Sequence, residues 1–187
     1  MKRRILCLAV AAAPLVGCTV TKPESTADAG ARRREIDAAV TRAFEDLYKQ
    51  VPGSREMVSR SRGTLAFPNL VSAGLGIGGS YGQGALRERG RTAGYYSIAG
   101  GSIGLIAGAQ SRAVFFLFMT PDALQKFEAS RGWTAGVDAS VAVIDAGADA
   151  QVNTRTIQQP VVGYVLTNKG LMANLSLEGS KINRLEI

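Results

Sequence analysis

Ala73-Gly-Leu-Gly-Ile-Gly-Gly-Ser-Tyr-Gly-Gln-Gly-Ala85 and, further on, Gly100-Gly-Ser-Ile-Gly-Leu-Ile-Ala-Gly108 decide how this chain folds. Gly74, Gly76, Gly78, Gly82 and Gly84 alternate with Leu75, Ile77, Gly79, Tyr81, Gln83 and Ala85. Gly100, Ser102, Gly104 and Gly108 do the same against Gly101, Ile103 and Leu105. A period of two means extended backbone, and it gathers the small residues on one face of each strand. A strand face without side chains lets another backbone or a helix approach closely, or lets the sheet bend sharply. Gly104 sits on that face, so a β-branched residue there is expected to overpack it.

Outward from this block, further strand candidates are Val114–Met119, Val137–Ile144, Ala150–Thr156, Val161–Thr167 and Leu171–Leu177, and Asp145–Asp149 reads as a hairpin loop. One helix interrupts them. Thr120 caps it, Pro121 takes its first position, Leu124 and Phe127 face inward, and Gly132 ends it. On the N-terminal side, Ile36, Val40, Phe44, Leu47 and Val51 recur at helical spacing and stop at Pro52-Gly53. A second short helix is expected from Ser54 to Arg62, with Gly63 as its stop. The expected fold class is α+β in a single domain. It is a strongly curved, mostly antiparallel glycine-rich sheet, barrel-like at the limit, with N-terminal helices and one internal helix.

Composition excludes several chemistries. The chain has 187 residues, 46% of them apolar, which suits one domain. It has no histidine, so Ser-His-Asp and Cys-His nucleophiles and His-ligated metals are out. The formal charge is +7, from 22 basic and 15 acidic residues. Three of the basic residues lie in Met1-Lys-Arg-Arg4, which precedes a short apolar run, Ile5 to Ala13. That run is too short to span a bilayer and reads as an export signal. It closes on Leu15-Val-Gly-Cys18, which resembles the lipobox of bacterial lipoproteins. The resemblance implies removal of residues 1–17, acylation of Cys18, a tether over 18–30 containing Pro23, and a domain over 31–187. Cys7 leaves with the signal and Cys18 carries lipid, so no thiol remains for a disulfide, a zinc site or catalysis.

Enzyme-like motifs are present but incomplete. Gly74-x-Gly76-x-x-Gly79 fits a dinucleotide fingerprint, yet Ser80–Gly84 is a poor helix start and no acid occurs between Gly90 and Ala109. Gly78-x-Ser80-x-Gly82 and Gly100-x-Ser102-x-Gly104 fit a nucleophile elbow that has no histidine to serve it, and the chain has no Ser-x-x-Lys. Asp138 reads as a structural carboxylate. Asp145 and Asp149 are too few ligands for calcium and read as turn residues.

The basic clusters are Arg32-Arg33-Arg34, then Arg55, Arg60 and Arg62, then Arg87, Arg89 and Arg91 at an expected hairpin tip. A solvated surface is the plain account of such clusters. Arginine at a helix start opposes the dipole, so the first cluster calls for an earlier start, with Ser25-x-x-Asp28 as its cap, or for an anionic partner. For an exported, tethered chain that partner is phospholipid phosphate and not nucleic acid.

The order of several blocks resembles SYLF domains: Thr64–Pro68, Gly79–Gly84, Gly100–Gly104, Gly108–Gln110, Gly136–Ser140, Asn168–Leu171 and Leu177–Ser180. The resemblance covers about residues 35–187. It implies a lipid-binding module for phosphoinositides and other anionic lipids, with no enzyme activity and no cofactor. Some eukaryotic members act on actin, a role that an exported chain does not inherit. The expectation is therefore a lipoprotein acylated at Cys18 whose domain binds anionic phospholipid headgroups through Arg87, Arg89, Arg91, Arg32, Arg33 and Arg34. Thr19 after the cysteine, in place of Asp, favours the outer membrane, facing the periplasm. The alternative is a lipid-tethered envelope structural or interaction module that grips another envelope protein and no headgroup.

Overall fold

A computed structural model describes residues 26–144, 159–167, 170, 171, 177 and 179–187. The two glycine-rich blocks belong to two very long strands, β1 (Gly63–Glu88) and β2 (Arg91–Phe118). They pair antiparallel from Gly63 opposite Phe118 to Glu88 opposite Arg91. Arg89 and Gly90 make the turn, both at positive φ (48° and 79°), as a two-residue hairpin of right-handed twist requires.

Strands of this length cannot stay flat. Register breaks between Phe67 and Leu70, between Leu75 and Ile77, and between Leu86 and Arg87. The first break holds Pro68, which has no N–H for the ladder. At the second, Gly104, Leu105 and Ile106 of β2 stand against Gly76 alone. The hairpin bends there and folds back over itself. A Cβ at Gly84 would overlap the Ala66 carbonyl and lie 2.8 Å from Phe67 Cδ1, and one at Gly82 would lie 2.9 Å from the Asn69 carbonyl oxygen. Close backbone approach, expected of the glycine face, occurs at this crossing. At Gly101 a Cβ would meet nothing within 4 Å. The surroundings of Gly104 lie outside the described side chains.

The other strands are β3 (Trp133–Thr134), β4 (Val141–Val143), β5 (Val161–Thr167), β6 (Gly170–Leu171) and β7 (Lys181–Arg184). The sheet runs β3-β7-β2-β5-β4, with β1 also on β2 and β6 on β5. The β4–β5 pair is parallel, so the curled sheet is mixed, though mainly antiparallel. Both faces of its centre are buried, which explains the uninterrupted apolar run Val114–Phe118. Leu65, Phe67, Phe116 and Phe118 point into the curl with Phe127 and Trp133. The rings of Phe116 and Phe127 meet Trp133 edge-on, each at 5.7 Å. Ala66, Phe115, Leu117 and Tyr164 point the other way, onto α1 (Thr26–Gln50) and α2 (Ser54–Arg60). The predicted stripe makes that contact, with Ile36, Val40, Leu47 and Val51 buried.

Some local expectations differ. α1 starts at Thr26, so residues 26–30 form its first turns and Asp28 sits favourably near the N-terminus. Gly53, at φ 79°, occupies the N-cap of α2. Ser54 is instead buried, and its hydroxyl donates to the Val51 and Leu47 carbonyls. In α3 (Pro121–Ala129), Thr120 accepts from Ala123 N as predicted, but the helix stops before Ser130 and not at Gly132. Residues 136–140 form a turn and not a strand, because Gly136 has φ 81° and Asp138 Oδ2 accepts from Thr134 N at 2.5 Å. Residues 1–25, Asp145–Asp149 and the candidate strand Ala150–Thr156 lie outside the described residues.

Candidate functional site

A groove of about 590 Å³ opens where α1 and α2 meet the hairpin tip. Its floor is apolar, from Phe44, Tyr48 and Val58. Four arginines line it: Arg55 and Arg62 from the second helix region, Arg87 and Arg89 from the hairpin. Glu45 is the one acid in that lining. Local chemistry fixes each wall. Phe44 stacks against Tyr48 and Phe115 (5.9 and 5.4 Å between centroids), which anchors the floor to the sheet. The Arg55 guanidinium lies 4.2 Å from the Tyr48 ring centroid, a cation–π geometry. Burial raises the Tyr48 pKa, and Arg55 beside it opposes that rise. Arg89 holds a left-handed conformation that a side chain adopts at some strain, and that favours Asn or Gly.

Arg87 is different. Its Nη2 donates to Asp37 Oδ1 and to the Asp37 carbonyl, both at 3.3 Å. Asp37 also accepts from Thr92 Oγ1 at 2.7 Å and from the Tyr95 hydroxyl at 2.8 Å. One carboxylate thus ties α1 to both strands of the hairpin. Burial, then the hydrogen bond to Asp37, raises the Tyr95 pKa.

The structure brings Arg55 and Arg62 of the second cluster together with Arg87 and Arg89 of the third, while Arg60 pairs with Glu56 and the first cluster lies elsewhere. Arg91 is exposed across the turn, outside the groove lining. Arg32 Nε donates to Gln83 Oε1 at 3.2 Å, and Arg33 Nε donates to the Ile187 carbonyl at 2.7 Å, so both hold the N-terminal half of α1 to the body. Arg34 is exposed. Cys18 lies outside the described residues.

Other candidates take structural roles. Ser80 Oγ donates to the Gly100 carbonyl at 3.3 Å across the ribbon, and Asp138 closes its turn. Among the described residues, no three His, Cys, Asp or Glu side chains gather as a metal site. Sequence reasoning missed Arg112. It is half-buried on β2, its Nε has no partner, and burial pushes its pKa down. It lines a smaller pocket of about 240 Å³ with Arg42 and Asp46. The signal was available, since Arg112 ends a charge-free run from Thr92 to Ser111.

Residues 99–185 match the family described as Ysc84, Las17-binding protein actin regulator. The match runs from within β2 to just past β7. No curated protein matches the chain.

Proposed function

We propose that this chain, whose residues 99–185 match the Ysc84 family model and whose glycine-rich blocks resemble lipid-binding SYLF domains, is an outer-membrane lipoprotein whose domain binds anionic phospholipid headgroups. One observation carries the reading: arginines ring an apolar floor at the hairpin tip. A phospholipid offers a phosphate diester beside an aliphatic stem, and the groove offers guanidinium groups beside aromatic rings. Arg55, Arg62 and Arg89 meet the phosphate. Arg87, held by Asp37, sets the hairpin against α1 and lends charge. Phe44, Tyr48 and Val58 take the glycerol and the first methylenes. Arg32–Arg34 and Arg91 add long-range attraction to an anionic surface. Cys18 is the acylated anchor, the signal carries the chain out of the cytoplasm, and the module binds without catalysing.

The test is co-sedimentation of residues 18–187 carrying Cys18→Ser, made without the signal, with phosphatidylglycerol or phosphatidylcholine vesicles. Binding is expected on the former. Changing Arg55, Arg62 and Arg89 together to Gln removes three contacts of roughly 1 kcal/mol each, about two orders of magnitude in affinity at low salt. The difference shrinks as salt rises. Equal binding by a folded triple variant overturns the groove assignment. No binding by the unsubstituted groove moves the tethered interaction module ahead.

A further inference from the structure

We propose that the two-stranded ribbon formed by Val71–Ser80 and Gly100–Ser111 is a membrane-contact element that dips into the bilayer holding the chain's own anchor. The inference rests on the lipoprotein reading for its orientation.

The first observation is charge. No Asp, Glu, Lys or Arg occurs between Arg62 and Arg87, or between Arg91 and Arg112. The second is pairing. β2 meets β7 through Tyr96–Ala99 and β5 through Ala113–Phe118. Between those stretches its second edge has no partner among the described strands, and β1 has β2 alone. A bare two-stranded ribbon is marginal in water. Yet large apolar side chains meet solvent at its base: Val71 is 47% exposed, and Tyr81, one residue beyond the two-stranded part, 51%. Ala73 is exposed beside them.

The third observation is position. Arg32 donates to Gln83, and Gln83 Nε2 donates to the Tyr81 hydroxyl at 2.8 Å, so the start of α1 sits at the ribbon's base. From the crossing at Gly82 to the bend at Gly76 the ribbon can reach about 20 Å, at roughly 3.3 Å per residue. Cys18 precedes Thr26 by eight residues, a tether of at most about 28 Å. The tether's limit exceeds the ribbon's reach by about 8 Å, so an acylated Cys18 leaves room for the ribbon to stand between the helix start and the bilayer and holds it within reach. Arg34, exposed near the base, then lies at phosphate level, and Tyr81 at the interface that tyrosine favours. The unpaired strand edges limit the depth, because bare N–H and C=O groups are costly in hydrocarbon. The ribbon therefore enters the headgroup and upper acyl zone and does not span.

The experiment uses the mature chain purified from membranes and reconstituted in vesicles of phosphatidylethanolamine and phosphatidylglycerol. Single cysteines at Ala73→Cys and Gly101→Cys carry an environment-sensitive fluorophore, with Gln125→Cys on α3 as control. Mass spectrometry of residue 18 tests the lipoprotein reading separately. Blue-shifted emission at 73 and 101, quenched by acyl-chain spin labels, with no shift at 125, is the expected result. An acylated chain with water-like emission at both ribbon sites overturns the inference and leaves the anchor intact. A shift that acyl spin labels do not quench, with doubled mass in detergent, also overturns it and assigns the ribbon to a second copy. Without acylation, an unquenched ribbon overturns both readings, and a quenched one leaves the ribbon inserting with no tether. A chain of residues 18–187 carrying Cys18→Ser, without signal or acyl group, gives a second readout. Val71→Asp with Tyr81→Asp should lower its vesicle partitioning by about a hundredfold, the loss of two apolar side chains' transfer from water. Unchanged partitioning by the folded double variant counts against insertion.

Discussion

Gly84→Ala tests the crossing of the hairpin over itself. A methyl group at Gly84 would overlap the Ala66 carbonyl and lie 2.8 Å from Phe67 Cδ1. Ala66 and Phe67 are fully buried, one on each face of the sheet, so neither can swing away. The two arms of the hairpin must separate. Overpacking of this kind costs about 1–3 kcal/mol, and backbone contact puts it at the upper end. Alanine restricts the unfolded chain and returns about 0.4–1 kcal/mol, since Gly84 is not at positive φ. The net loss is roughly 2 kcal/mol or more, or about 4–8 °C in Tm for a domain of this size. Gly101→Ala is the matched control. It has open space and an ordinary φ, so it should be neutral or slightly stabilising. Thermal and urea unfolding, followed by circular dichroism, measure both. If Gly84→Ala melts with the unsubstituted chain, the arms do not cross as described and the close-approach argument is wrong.

Asp37→Ala strips partners from Arg87, Thr92 and Tyr95 at once and should destabilise by about 1–2 kcal/mol. The Tyr95 pKa should move down in ultraviolet titration while staying raised, because burial is its larger cause. Tyr164 is buried with an unpartnered hydroxyl, and burial pushes its pKa to about 12. A raised folded pKa favours the neutral form, so its contribution is present below about 10 and is lost as pH climbs towards 12. Tyr164→Phe should remove that alkaline loss and melt no lower at neutral pH, and a lower melting point would reveal a hydrogen bond. Cys18→Ser should leave an unprocessed precursor without acyl label, and equal palmitate incorporation by the variant would refute the anchor.

Period-two glycine patterning was enough to place extended, bending backbone between Thr64 and Gly108, and helical spacing placed the buried face of α1. What could not be read was continuity. Alternation is the same whether a chain makes several short strands or two long ones, and only pairing partners decide. Nor does alternation say which glycines meet backbone, since Gly84 and Gly101 look alike in sequence yet differ in the structure. The turn at 136–140 escaped because Val137, 78% exposed, breaks the rule that a valine-bearing alternation buries one face. The candidate site was half legible. Arg55, Arg62, Arg87 and Arg89 are visible as basic clusters, but their convergence depends on α2 packing beside a hairpin tip far along the chain. The Asp37 network was invisible, since its partners lie 50 to 58 residues away.

The long hairpin sets the two proposed lipid contacts apart. Its bend lies beyond the base where Arg32 reaches Gln83, and its tip closes the groove where Arg55 stacks on Tyr48. Along α1, Arg32 and Tyr48 are sixteen residues apart, about 24 Å of helix. The ribbon adds its own reach on one side only. A single flat leaflet engages both surfaces when α1 lies along it. When α1 stands upright, the ribbon alone touches the anchoring leaflet and the arginine groove faces away from it. The groove then takes a lipid presented from outside that leaflet, and the same residues serve transfer or bridging instead of adhesion. Under these two proposals, the tilt of α1 on the bilayer decides whether the proposed headgroup contact serves adhesion or transfer.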